Sequence, residues 1–129
     1  MVLQQRQAWF HLVVSGTSLI LFLGLLPLVG MAGAQAAFAV LAVTWVAPFL
    51  FRKRGAAEDE RDRMIHLKSM QFTFGVLWLL MIGGVWGLYY TYEAAGAVPT
   101  AYLPVIGWMM WIVFLLCQSG AQLVLYRKY

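Results

Sequence analysis

Residues 52–68 read RKRGAAEDERDRMIHLK, the one strongly charged stretch in a chain of 129 residues that is 63% hydrophobic and 11% charged. Six of the nine Lys and Arg residues lie inside it: Arg52, Lys53, Arg54, Arg61, Arg63 and Lys68. The others are Arg6, ahead of the first apolar run, and Arg127 with Lys128, behind the last. Soluble domains are roughly half apolar and a quarter charged, so this composition places the chain in a bilayer. Lys and Arg in short connections are retained on the cytoplasmic side. The distribution therefore predicts an all-α integral membrane protein with four transmembrane helices. They form two antiparallel hairpins, with the N- and C-termini cytoplasmic and the charged stretch joining the hairpins inside.

Working outward, the predicted helices cover about 9–30, 34–51, 58–92 and 102–126 of a single membrane domain, 1–129. Pro27 and the Gly30-Met31-Ala32-Gly33 turn are expected to end the first helix, and the short uncharged connection forces its successor to lie beside it. Small residues around Ala32-Gly33-Ala34 imitate a signal-peptidase site, but the apolar run before them exceeds the usual h-region, so the helix is expected to stay uncleaved. The third helix is too long for the hydrocarbon core, and its first turns are expected to extend into the cytoplasm. Glu58, Asp59, Glu60 and Asp62 suit the positive end of its dipole. Asp59 with Arg63, and Asp62 with His66, stand four apart and can meet on its surface. Gly75, Gly83 and Gly87 share one face, where intramolecular packing is the expected use. Trp86, Tyr89, Tyr90 and Tyr92 form an aromatic belt at the outer end.

The run Asp59-Glu60-Arg61-Asp62-Arg63-Met64-Ile65-His66-Leu67-Lys68, followed at once by an apolar helix, resembles an uncharacterised prokaryotic family of small four-helix membrane proteins, a domain of unknown function. That family carries an Asp-Glu-Arg-x-x-x-Ile-x-x-Lys-like stretch before its third helix, here occupied by Asp59, Glu60, Arg61, Ile65 and Lys68. The resemblance implies the topology and a bacterial or archaeal origin, hence the inner (plasma) membrane of a prokaryote. It implies no activity.

Two sets of residues emerge as functional candidates. Asp59, Glu60, Arg61 and Arg63 form an exposed charged extension suited to docking another protein. Ser15, Ser18, Thr44, Thr73, Gln118 and Gln122 all fall in the cytoplasmic half of their spans and form a polar layer. An amide in hydrocarbon needs a partner, so the layer is either an interhelical hydrogen-bond network or the wall of a water-filled vestibule. No Asp, Glu, Lys or Arg lies inside a span, and proton or ion pathways usually carry one. The dry network is therefore the favoured reading.

Other chemistry is expected to be absent. Phosphate loops, hydrolytic triads and His-Glu-x-x-His motifs are missing, so the chain is expected not to be an enzyme. Cys117 stands alone as a small packing residue. His11 and His66 lie toward the same side, but His66 falls outside the apolar span, so neither haem nor metal is expected and the cofactor reading is none. The net charge of +4 is explained by topology, leaving no nucleic-acid partner. Trp108 and Trp111 share a face expected to contact lipid. What remains is a non-enzymatic protein whose partners are the lipid bilayer and a membrane protein or further copies of itself. It would act as an accessory or regulatory subunit, or as an oligomeric small-solute transporter or channel.

Overall fold

The computed structural model describes residues 3–51 and 59–129, and every regular element among them is helical. Arg52, Lys53, Arg54 and Glu58 lie outside the described residues. Helix α1 runs Leu3–Ala34, followed without a loop by a 3-10 segment Gln35–Val46 and the single turn α2, Ala47–Leu50; α3 spans Glu60–Tyr92 and α4 spans Tyr102–Lys128.

Three helical stretches are long and apolar enough to cross a membrane: Leu3–Leu50, Glu60–Tyr92 and Tyr102–Lys128. The sequence led to an expectation of four. The first two expected spans form one stretch of 48 residues, because the turn anticipated over residues 30–33 contracts to a single non-helical residue. That residue is Gly30, at φ 75° and ψ −178°, and Met31 to Ala34 resume the helix at once. Pro27 sits inside α1 and does not end it.

Beyond Gly30 the chain lies alongside α1. Ser18 Oγ donates to the Ala37 carbonyl at 3.0 Å, Phe22 stacks on Phe38 at 4.9 Å, and Phe10 meets Phe51 edge-on at 5.4 Å. The close approach also explains Gly33, where a Cβ would fall 2.8 Å from two carbons of Val29.

The 3-10 geometry has its own sequence logic. With three residues per turn, positions i and i+3 eclipse and line a single face. Phe38, Leu41, Thr44 and Ala47 follow that spacing and are all buried, while nearly all the intervening residues stay exposed. Thr44 Oγ1 donates back to the Leu41 carbonyl at 2.6 Å, reinforcing the tighter turn.

Helix α4 is central. Its buried positions Val105, Ile112, Leu115, Ser119, Gln122 and Tyr126 step by seven, three and four residues, the pattern of a helix gripped along one seam. It packs against α1 on one side and α3 on the other, and Ile112 and Leu115 join Phe22, Phe38 and Leu41 in the apolar core. Helix α3 makes its main contact with α4. Asp62, Ile65, Ser69 and Thr73 are buried there, yet no residue of α3 beyond Thr73 is.

The bend at Gly30 should be the local weak point of the fold, since a side chain at that φ and ψ is strained by about 1–3 kcal/mol. Gly30→Ala should lower stability by that amount in equilibrium unfolding from detergent micelles. Gly24→Ala, where nothing lies within 4 Å of the added carbon, should leave stability unchanged or raise it.

Candidate functional site

Three polar stripes at helical spacing meet at the basic end of the bundle. Gln4, Gln7, His11, Ser15 and Ser18 descend one face of α1; Asp62, His66, Ser69 and Thr73 descend α3; Gln118, Gln122 and Tyr126 descend α4. Steps of three and four residues keep each set on one side of its helix.

The stripes bind one another at their base. Tyr126 Oη donates to Asp62 Oδ1 at 2.7 Å, and the Gln4 side-chain oxygen lies equally close at 2.7 Å. One hydroxyl proton cannot serve two acceptors, and the carboxylate is the stronger. Turning the Gln4 amide end for end lets its nitrogen donate to the phenol oxygen. Asp62 is only 7% exposed, so this bond partners a carboxylate removed from water. The Arg61 guanidinium carbon stands 5.8 Å from the Tyr126 ring centroid, and Lys68 Nζ donates to Tyr129 Oη at 2.9 Å. That ammonium, joined by Lys128, holds the exposed Tyr129 phenol below its ordinary pKa.

Above this base is a cavity of about 150 Å³ lined by Gln4, Gln7, His11, His66, Gln118 and Gln122. Gln122 Nε2 lies 3.2 Å from His66 Nδ1, within hydrogen-bonding distance. The pairing of Asp62 with His66 expected from their spacing is not formed, because each is taken by a residue of α4. A second cavity of about 380 Å³ adjoins the first, sharing Gln7, His11 and Gln118 with it; its other walls are Thr44, Trp45, Pro48, Trp111, Phe114 and Leu115.

The six residues of the anticipated polar layer divide between two environments. Ser15, Ser18, Thr44 and Thr73 are buried and each donates to a backbone carbonyl, at 2.6, 3.0, 2.6 and 2.8 Å to His11, Ala37, Leu41 and Ser69. Gln118 and Gln122 face the small cavity. Of the docking candidates, Asp59, Glu60, Arg61 and Arg63 are exposed around the first turn of α3, with Asp59 at its N-cap.

Sequence reasoning missed Gln4, Gln7 and Tyr126 as members of this site. It weighed His11 and His66 together only as haem or metal ligands and set that aside, whereas both line one cavity. The missing clue was the i, i+3, i+7 spacing of Gln4, Gln7 and His11, which continues the Ser15 and Ser18 face below the apolar span. Among the described residues there is no group of three or more His, Cys, Asp or Glu able to hold a metal ion. Trp108 and Trp111 are not given over wholly to lipid: Trp108 stacks on Phe38 at 5.9 Å and Trp111 on Phe114 at 5.4 Å.

A family model described as a predicted membrane protein, DUF2178, matches residues 6–129, and the chain belongs to that family. With its apolar helices it is a multi-pass membrane protein. No curated protein and no solved structure matches it.

Removing the phenol hydroxyl leaves a buried carboxylate without its donor, a loss of about 1–3 kcal/mol. Tyr126→Phe should therefore destabilise the protein by that amount in equilibrium unfolding. Adding Asp62→Asn, which discharges the stranded group, should recover part of the loss.

Proposed function

We propose that this DUF2178 member is a non-enzymatic accessory or regulatory subunit that binds another membrane protein through α3. The observation carrying the reading is that Gly75, Gly83 and Gly87 share a face of α3 with nothing within 4 Å of an added Cβ. The intramolecular packing expected for these glycines is not formed, and the helix beyond Thr73 buries no residue. A Gly-x-x-x-Gly face left open within one chain suits close approach by a helix from another. Asp59, Glu60, Arg61 and Arg63, exposed at the start of the same helix, offer charged contacts that would set register.

The topology proposed with this function is four crossings, two hairpins and both ends cytoplasmic, in the plasma membrane of a prokaryote. Length supports the extra crossing. The 3-10 segment of 12 residues rises about 24 Å at 2.0 Å per residue, and the four residues of α2 add about 6 Å. Their sum is about 30 Å, the thickness of the hydrocarbon core, where a continuous α-helix of the same 16 residues would reach only about 24 Å. Contacts of α1 with residues 37, 38 and 51 support a reversal at Gly30. The distribution of Lys and Arg supports the sidedness.

The transport reading has less support. Ser15, Ser18, Ser69, Thr73 and Ser119 are each no more than 2% exposed and lie on the core side of the cavity, where a solute path would have to open.

Gentle detergent extraction should bring down a stoichiometric membrane-protein companion. Gly83→Ile with Gly87→Ile should weaken that association about tenfold, equivalent to about 1.4 kcal/mol, without changing the helical circular dichroism. Charge reversal at Arg61 and Arg63 should weaken it further. Recovery of the protein alone, or undiminished co-purification of the glycine variants, would count against the proposal.

A further inference from the structure

The paired cavities between α1, the 3-10 segment and α4 carry an inference independent of the α3 surface. Gln7, His11 and Gln118 form the seam that both cavities share. Their side-chain polar groups make no hydrogen bond to any described residue, unlike Ser15, Ser18, Thr44, Ser69 and Thr73 above them, each of which is bonded to backbone. These polar atoms stay accessible within the cavity, so a molecule that enters it can hydrogen-bond to them.

The chemistry of the walls narrows what that is. Among the described residues no Asp, Glu, Lys or Arg lines either cavity, and Asp62 just below is already bonded to Tyr126. An ionic head group would find no counter-charge among these lining residues. Glutamine amides both donate and accept, and the imidazoles of His11 and His66 add further hydrogen-bonding nitrogens, so the polar cavity suits carbonyl and hydroxyl oxygens. A cavity on the order of 150 Å³ is large enough for a benzene-sized ring. The adjoining cavity is walled by Trp45, Trp111 and Phe114, and Trp45 is 74% exposed, so this compartment opens toward the bilayer.

We infer that these joined cavities bind an uncharged, lipid-soluble ring compound bearing carbonyl or hydroxyl groups, of the quinone class. The oxygenated ring occupies the Gln and His compartment, and the apolar tail leaves past Trp45 and Trp111 into the lipid.

The two tryptophans provide the readout, because a bound quinone quenches indole emission. Titrating the purified full chain in phospholipid nanodiscs with a decyl-substituted benzoquinone should give saturable quenching, lost on Trp45→Phe with Trp111→Phe. Gln118→Leu should weaken the affinity about tenfold, as should His66→Leu. Decane added in excess should not displace the quinone, whereas decyl-hydroquinone should. Should Gln118→Leu fail to fold, Gln7→Leu and the two competitors on the unmodified chain decide the matter. Quenching that rises linearly without saturation, equal displacement by decane, or unchanged affinity in every folded polar variant would overturn the inference.

Discussion

A single hydroxyl ties three helices together. Tyr126 Oη on α4 reaches Asp62 on α3 and Gln4 on α1, each at 2.7 Å, at the end of the bundle where its cationic residues gather. In hydrocarbon, apolar side chains gain little by leaving lipid for one another, so association of helices depends on close packing and on polar groups that must find partners. Helix α3 illustrates the constraint. It is held to α4 near this bond and buries Ile65, Ser69 and Thr73 above it, then buries no residue over the remainder of its length. The polar base thus sets the register of the bundle, and the glycine-bearing outer part of α3 is left available.

The same constraint separates two kinds of polar side chain. Short hydroxyls bend back to carbonyls one turn away or across the close contact at Ala37, and so disappear into the packed interior. Glutamine and histidine are too long for that and hold their polar atoms away from their own backbone. Where three helices bring such residues together the interior opens into a cavity, and the apolar room beside it is walled by Trp45, Trp111 and Phe114.

Much of this was written in the sequence at the level of each helix taken alone. The apolar runs, the charged stretch 52–68 and the stepwise spacing of Gln118, Gln122 and Tyr126 were all legible, as was the exposure of Asp59, Glu60, Arg61 and Arg63. Where two spans separated by a turn over residues 30–33 were expected, the chain departs from helical geometry at Gly30 alone. Glycine at positive φ turns the chain within one residue, so no loop is spent, and the helical stretch Leu3–Leu50 counts as one. The 3-10 form of residues 35–46 was not foreseen either. Its period of three is visible in Phe38, Leu41, Thr44 and Ala47 only once their burial is known, because the residues between them are just as apolar.

Composition and spacing by themselves determined that the chain is helical, that it belongs in a bilayer, and which side of each helix is polar, since these follow from local periodicity and transfer energy. Only the tertiary structure decided which polar sides meet. Asp62 chose Tyr126 over its own neighbour His66, His66 turned to Gln122, and His11 came to share a cavity with it. Those choices depend on the rotation and depth at which α1, α3 and α4 pack, and residues far apart along the chain carry no mark of them until the helices touch.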